Sequence, residues 1–189
     1  MAIERKTVYF EKRGPTNTHE TLQLAKERAE ALGIRDIIVA SGTGTTGAKA
    51  SKIFRGYNLV VVASVMGFKE PNKSSMLEKN RAIIEGNSGK IICSGHAFGM
   101  LGRAVNRKFG VIQVDELIAH VLRLICVGVK VCFEISCMAA DAGLIKSGEE
   151  AITIGGSGGG ADTAIVLKPS NTHTFFDSKF LEIICKPRE

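Results

Sequence analysis

A run of glycines and threonines around residue 44 carries the clearest sign of ligand chemistry in this sequence. The uncharged residues 37–40 precede it and Gly47-Ala48-Lys49-Ala50 follow, a pattern typical of a buried strand, a tight turn and the opening of a helix. Glycine lets the backbone approach a ligand closely, and threonine hydroxyls beside the free N–H groups of a helix start favour an anion, usually a phosphate. The residues predicted to hold this phosphate are Ser41, Gly42, Thr43, Gly44, Thr45 and Thr46.

A second glycine-rich segment, residues 155–162, follows the apolar strand predicted at 151–154. In an open α/β sheet, ligands bind beyond the carboxyl ends of the strands, where the winding direction reverses. If the two strands are neighbours, both loops frame one crevice. The residues expected to contribute are Gly156, Ser157, Gly158 and Asp162, and Asp162 would either cap the loop or hold a ligand hydroxyl. The alternatives are a ligand-free turn for the first loop and a flexible hairpin for the second.

Further candidates follow the other predicted strands. Gly67 and Phe68 lie in the loop after residues 59–63, where the Phe68 ring would either stack on a ligand or anchor the loop in the core. His96 follows residues 90–93 and would hydrogen-bond a ligand, donate a proton, or be an ordinary loop histidine.

Glu134 interrupts an otherwise apolar helix, where an ion pair with Lys130 four residues earlier is the simplest explanation for the carboxylate. Cys93 and Cys137 are expected to be buried, inert thiols, although both would lie near the crevice. His120 is expected to be solvated.

Residues 42–47 form a literal Gly-x-Gly-x-x-Gly, which raises the hypothesis of a dinucleotide site. Such a site needs an acidic residue at the end of the next strand to hold a ribose. That strand ends at Ser64-Val65, and the nearest acid is Glu70. An NADP-binding protein therefore ranks third among the functional hypotheses. A Walker phosphate loop is not indicated either, because no Lys-Ser or Lys-Thr pair follows the glycines.

Strands alternating with helices must position these loops, and this alternation predicts an α/β fold with a mainly parallel sheet. The predicted strands are 7–10, 36–40, 59–63, 90–93, 151–154, 163–167 and 180–185. Helices are predicted from a cap at Asn17, from a capping box at 75–78, from Asp115 and from Val129, whereas residues 95–111 are predicted to be irregular. The segment 155–162 is too short for a parallel crossover, so the strand after it should run antiparallel. The last strand, 180–185, would lie at a sheet edge and be free to pair with another subunit.

Composition limits the class of protein. The 189 residues are 44% hydrophobic and 23% charged with a net charge of +6, which suits one globular domain, 1–189. The basic residues are dispersed and the aromatic residues few, so no nucleic-acid partner is expected. Five cysteines without a Cys-x-x-Cys pair favour free thiols in the cytoplasm over disulfides or a metal site. The longest apolar run, 59–67, is too short to span a membrane, so no membrane association is expected.

Taken together, residues 38–47, the strand 59–64 that follows, and the segment 147–156 with its return strand 162–168 resemble the C-terminal α/β domain of pyruvate kinase. Because no catalytic barrel is present, the chain looks like one of the stand-alone, mostly archaeal, relatives of that domain. The resemblance implies a three-layer α/β/α fold with a five-stranded sheet of order 3-2-1-4-5 and an antiparallel fifth strand.

The resemblance also implies a ligand. In pyruvate kinase the equivalent first loop binds a phosphate of a sugar bisphosphate with hydroxyls, a glycine and an arginine. Thr45 stands where that arginine would be, which puts a bisphosphate in doubt. The stand-alone relatives are similar in binding flavin mononucleotide (FMN), so FMN is the expected cofactor, with its ring toward Gly67, Phe68, His96 and the loop 155–162. The alternative is a non-catalytic regulatory or sensing module for a phosphorylated metabolite. Pyruvate kinase activity is not implied, and an enzymatic role stays open.

Overall fold

The computed structural model describes residues 2–188, and over this range the chain forms one mixed, mainly parallel sheet with helices on both faces. The strands are β1 (Val8–Phe10), β2 (Asp36–Ala40), β3 (Asn58–Ala63), β4 (Lys90–Cys93), β5 (Ala151–Gly155), β6 (Thr163–Lys168) and β7 (Lys179–Pro187). Their order across the sheet is β1-β7-β6-β5-β2-β3-β4. The predicted α/β/α class is confirmed.

The predicted five-stranded order is contained in this sheet as β4-β3-β2-β5-β6, and β6 runs antiparallel to β5 as expected. The sheet is nevertheless two strands wider than predicted, because β7 pairs antiparallel with β6 and parallel with β1. The prediction that residues 180–185 lie at a sheet edge is wrong at Cys185, where the pairing of β7 with β1 begins. The preceding residues of β7 pair with β6 alone, so that part of the strand does lie at an edge.

The helices are α1 (Thr18–Leu32), α2 (Thr45–Ile53), α3 (Glu78–Gly86), α4 (Leu101–Phe109), α5 (Val114–Arg123) and α6 (Val127–Asp141). Helices α1, α2 and α3 cover one face of the sheet, where the core includes Ile37 and Val39 of β2. Helix α6 covers the other face, where the core includes Ile38. Strand β2 is thus buried on both faces, as its uncharged sequence predicts.

Three local predictions need correction. Residues 95–111 are not irregular throughout, since α4 occupies most of them. The predicted capping box at 75–78 does not form, because α3 begins at Glu78 after Leu77. Asn17 does precede α1, but its side chain donates to the carbonyl of Lys12 (2.7 Å) and leaves the helix amides uncapped.

Within residues 2–188, every helix is too short or too polar to cross a lipid bilayer. The prediction of a single domain extends to Met1 and Glu189, which lie outside the described residues.

Candidate functional site

The turn between β2 and α2 is held in one conformation by its own side chains. The Ser41 amide donates to the carbonyl of Val62 (2.9 Å), and Ser41 Oγ accepts a hydrogen bond from the amide of Gly47 (3.0 Å). Gly44 lies in the left-handed region at φ 83°, and a Cβ there would stand 2.3 Å from Met76 Sδ. Asn80 Nδ2 donates to the carbonyl of Thr43 (2.9 Å). Glycine is required at position 44 by both its backbone angle and its close packing, so the turn is rigid before any ligand arrives.

This turn presents hydrogen-bond donors at the beginning of α2. Thr45 and Thr46 open the helix, so neither amide has a carbonyl partner four residues back in α2. The hydroxyls of Thr43 and Thr45 are hydrogen-bonded to each other (3.1 Å), so the pair leaves one further donor beside these amides. Together with the positive end of the helix dipole, the group can bind an anion.

A cavity of about 350 Å³ opens against the start of α2, and we call it the Thr46 cavity. Six predicted residues line it: Ser41, Gly42, Thr43, Thr45, Thr46 and Gly156. The expectation that both glycine-rich loops flank one crevice is therefore met by the geometry, because β2 and β5 are parallel neighbours. Gly44 packs behind this wall, against Met76 and Asn80.

The cavity also contains residues that the sequence interpretation missed: Pro15, Thr18, Ala40, Lys49, Gly159 and Gly160. Lys49 supplies a positive charge to the cavity lining. The sequence could have indicated this role, because Lys49 lies four residues after Thr45 and therefore on the same face of α2. Pro15 and Thr18 come from a segment far away in sequence, and no local pattern predicts their approach.

The remaining predicted residues of loop 155–162 serve the loop itself. The Asp162 carboxylate is fully buried and accepts hydrogen bonds from the Gly14 amide (2.9 Å), the Ser157 hydroxyl (2.5 Å) and the Thr163 hydroxyl (2.9 Å). Asp162 was predicted either to cap the loop or to hold a ligand hydroxyl, and these contacts give it the capping role. The Ser157 hydroxyl is directed toward Asp162. Gly158, at φ 143°, has open space where a Cβ would stand.

A second, smaller cavity of about 170 Å³ lies on the α6 side of the sheet, and we call it the His96 cavity. Ser41 and Gly42 form a wall common to both cavities, and Ser64, His96 and Glu134 complete the polar lining. The predicted neighbours of one ligand are thus divided between two cavities. Loop 155–162 contributes to the Thr46 cavity, whereas His96 belongs to the cavity on the opposite face.

His96 is half-buried and stacks on the ring of Phe68, with centroids 5.1 Å apart. Burial lowers the pKa of His96 below its ordinary value. The charge of Glu134 acts to raise this pKa, whereas the charges of Lys130 and Arg103 lower it further. Phe68 is exposed rather than in the core, and its other neighbour is the Arg103 guanidinium, 5.6 Å from the ring centroid. Gly67 forms the turn before it, and its amide donates to the carbonyl of Lys73 (3.0 Å).

Behind the His96 cavity lies the predicted ion pair of α6. Lys130 Nζ donates to Glu134 Oε2 (2.5 Å), and both side chains are 7% exposed. The amide of Phe98 donates to Glu134 Oε1 (3.2 Å), so both carboxylate oxygens are hydrogen-bonded. Burial lowers the pKa of Lys130 although Glu134 acts in the opposite direction.

The cysteines differ from one another in accessibility. Cys93 is exposed, which corrects the expectation of a buried thiol, and its Sγ donates to the carbonyl of Ser64 (3.1 Å). Cys137 is buried as expected, and burial raises the pKa of its thiol to about 12. His120 is exposed, as predicted. Over residues 2–188, His, Cys, Asp and Glu side chains nowhere gather in the groups of three that a metal ion requires.

Residues 19–167 match the family model described as the pyruvate kinase alpha/beta domain. The match runs from α1 almost to the end of β6, so both glycine-rich loops, the His96 cavity and α6 fall within it, whereas Pro15 and Thr18 of the Thr46 cavity precede it. Strands β1 and β7, which widen the sheet, lie outside the matched range.

Proposed function

The chain belongs to the pyruvate kinase α/β-domain family, and on this basis we propose that its Thr46 cavity binds a phosphorylated small molecule, FMN. The phosphate lies on the first turn of α2, against the amides of Thr45 and Thr46. The observation that carries this proposal is the rigid turn 41–46, whose donors converge on one side of one cavity. Lys49, on the same face of α2, supplies the compensating positive charge.

FMN suits the cavity in charge and in size. The donors form a single group, which matches one phosphate better than two. A volume of about 350 Å³ lies within the range of small-molecule sites. Gly42, Gly156 and Gly160 leave the walls without side chains, and Pro15 and Ala40 offer apolar contact to a flat ring. Bound flavin would supply redox chemistry, and the protein would supply its binding and orientation.

A regulatory or sensing module for another phosphorylated metabolite is the second candidate. One observation favours it: the residues lining the Thr46 cavity include no aromatic side chain, because Phe68 and His96 lie beyond the common wall. A nicotinamide dinucleotide has less support, since Ser64 occupies the position after β3 where a ribose-binding acid is expected.

The absorption spectrum of the purified protein, with titration of FMN followed by flavin fluorescence, tests the proposal. Thr43→Glu places a carboxylate against the phosphate, and repulsion of like charges weakens FMN binding by about 30-fold or more, equivalent to about 2 kcal/mol. Thr43 is exposed, so the variant folds. Lys52→Glu is the control, because it makes α2 more negative by two charges rather than one, at an exposed position outside the cavity.

A colourless protein that takes up no added FMN would refute the flavin assignment. If that protein instead binds sugar phosphates, and Thr43→Glu weakens their binding, the regulatory candidate stands. Equal affinity of FMN for Thr43→Glu and Lys52→Glu would place the phosphate elsewhere.

A further inference from the structure

The outer face of α5 is an apolar stripe without a partner in the described chain. Val114, Leu117, Val121 and Leu124 follow at spacings of three, four and three residues, and they are 73%, 55%, 56% and 85% exposed. The opposite side of the helix packs inward through Ile118, Ala119 and Leu122. A helix that is apolar on both sides needs two surfaces to cover it, and the domain core supplies one.

The stripe continues onto α4 and the segment that joins it to α5. The additional exposed apolar side chains are Leu101, Phe109, Val111 and Ile112. With roughly 100 Å² of apolar surface per fully exposed side chain, the eight residues present roughly 500 Å² to solvent. This area is at the upper end for a free monomer. In a protein–protein interface of standard size, each partner buries about 500 Å² of apolar surface, which is the same area.

The charges of α5 favour a second copy of the same helix. Asp115 and Glu116 lie in its first turn, whereas His120 and Arg123 lie in its last turns. Within its own chain, Glu116 accepts hydrogen bonds from Asn106 Nδ2 and the Gln113 amide. Asp115 lines the groove beside α4, so both carboxylates are fixed at this end of α5. When two copies of α5 pack antiparallel about a two-fold axis, the acidic end of each meets the basic end of the other. The helix dipoles are then also antiparallel.

The same surface contains a groove that such a partner fills. An apolar groove of about 470 Å³ lies between α4, α5 and the segment 172–177, with Val105, Val114, Ile118 and Phe175 in its lining. Antiparallel pairing centred near residue 119 brings Leu124 of one copy beside Val114 of the other. The most exposed side chain of the stripe thus meets the groove, so the surface is complementary to itself, as a two-fold interface requires.

From these observations we propose that the protein forms a two-fold symmetric dimer through α5, with the stripe Val114, Leu117, Val121 and Leu124 at its centre. A lipid surface fits less well, because the acids Asp115 and Glu116 flank the stripe and a bilayer does not fill a groove.

Sedimentation equilibrium of the full chain tests the proposal. A standard-size interface of this kind gives a Kd of about 1 μM or tighter, so the wild type is dimeric at about 20 μM. Val121→Glu and Leu124→Glu bury a carboxylate at the interface and raise the dimer Kd by at least about 30-fold. Leu181→Glu on β7 is the matched control, since Leu181 is 46% exposed and lies outside the stripe. Circular dichroism and urea unfolding show that each variant keeps its fold.

The register of the pairing is tested by cross-linking. In a Cys93→Ser background, which removes the exposed thiol, oxidation of mixed Leu117→Cys and Val121→Cys proteins yields a disulfide between the two different variants. A wild type that sediments as a monomer at about 100 μM would overturn the proposal. So would dimers that persist unchanged in Val121→Glu, or monomers that bind anionic phospholipid vesicles through this stripe.

Discussion

Glu134→Leu is expected to lower the free energy of unfolding by about 4 kcal/mol, because it leaves the buried Lys130 without its partner. Removal of one member of a buried ion pair costs about 3–5 kcal/mol. The variant also leaves the amide of Phe98 without an acceptor, and an unsatisfied buried donor costs about 1–3 kcal/mol. The two losses are not additive, because rearrangement of the structure around residue 134 can bring new partners to both the Lys130 ammonium and the Phe98 amide. The expected total is therefore about 4 kcal/mol.

The double variant Lys130→Met, Glu134→Leu is expected to recover about 2 kcal/mol or more of that loss. It removes both charges, and only the Phe98 amide then lacks a partner. The lowered pKa of Lys130 indicates that Glu134 does not fully offset the burial of the ammonium group. Apolar side chains of similar volume should therefore be tolerated at both positions.

Urea unfolding of the wild type, both single variants and the double variant measures the coupling energy between residues 130 and 134. The comparison requires that all four proteins have the same slope of unfolding free energy against urea concentration. For a chain of this size, 4 kcal/mol corresponds to a fall in Tm of roughly 8–16 °C, which thermal unfolding checks independently. If Glu134→Leu costs less than about 1 kcal/mol, or the double variant is no more stable than Glu134→Leu, loss of Glu134 does not leave an uncompensated buried charge on Lys130.

Two further predictions concern titratable side chains. In the native protein we expect one thiol, Cys93, to react rapidly with a thiol reagent, because the other four cysteines are buried and burial raises the pKa of Cys137 and of Cys185 to about 12. Two or more fast thiols before unfolding would contradict this. Because burial lowers the pKa of His96 in the fold, the unfolded chain binds more protons in the pH window just below 6.5, so stability falls as the pH drops through that window. His96→Gln should flatten this part of the stability profile, and an unchanged profile would show that His96 is solvated.

The sequence was most informative where one local pattern determines the structure. The uncharged segment 37–40 predicts a strand buried on both faces and residues 151–154 predict a further strand, and β2 and β5 are neighbours in the middle of the sheet. The glycines after each strand predict loops that approach each other closely, and both line the Thr46 cavity. The predicted pairing of Lys130 with Glu134 follows from helical spacing alone.

Contacts between distant segments were not predictable in the same way. Pro15 and Thr18 line the Thr46 cavity where the N-terminal segment packs on the loop 155–162, and the Ala161 amide donates to Thr18 Oγ1 (3.0 Å). No local pattern specifies that contact. The division between the two cavities follows from α1 and α6 covering opposite faces, so His96 and Gly156 do not meet. Whether FMN occupies the Thr46 cavity stays a prediction.

Two helices show where pattern analysis was incomplete. In α4, Leu101, Val105 and Phe109 recur every four residues, but glycines before, within and after the helix made the segment look irregular. In α5, the apolar residues predicted a helix but not which side of it is buried. The structure divides them into a buried side with Ile118 and an exposed side with Leu117, because periodicity alone does not say which apolar side meets the core.

The pairing of β1 with β7 has a consequence for the order of events during folding. It joins Val8 to Cys185, so it closes a chain segment of nearly the whole sequence, and such long closures come late. The central strands can collapse around β2 before that step. The Gly14 amide reaches Asp162, and Pro15 and Thr18 reach the Thr46 cavity, only when the N-terminal segment has docked. We therefore expect the part of the cavity wall formed by Pro15 and Thr18 to be completed late, so that the protein becomes fully competent to bind after it becomes compact.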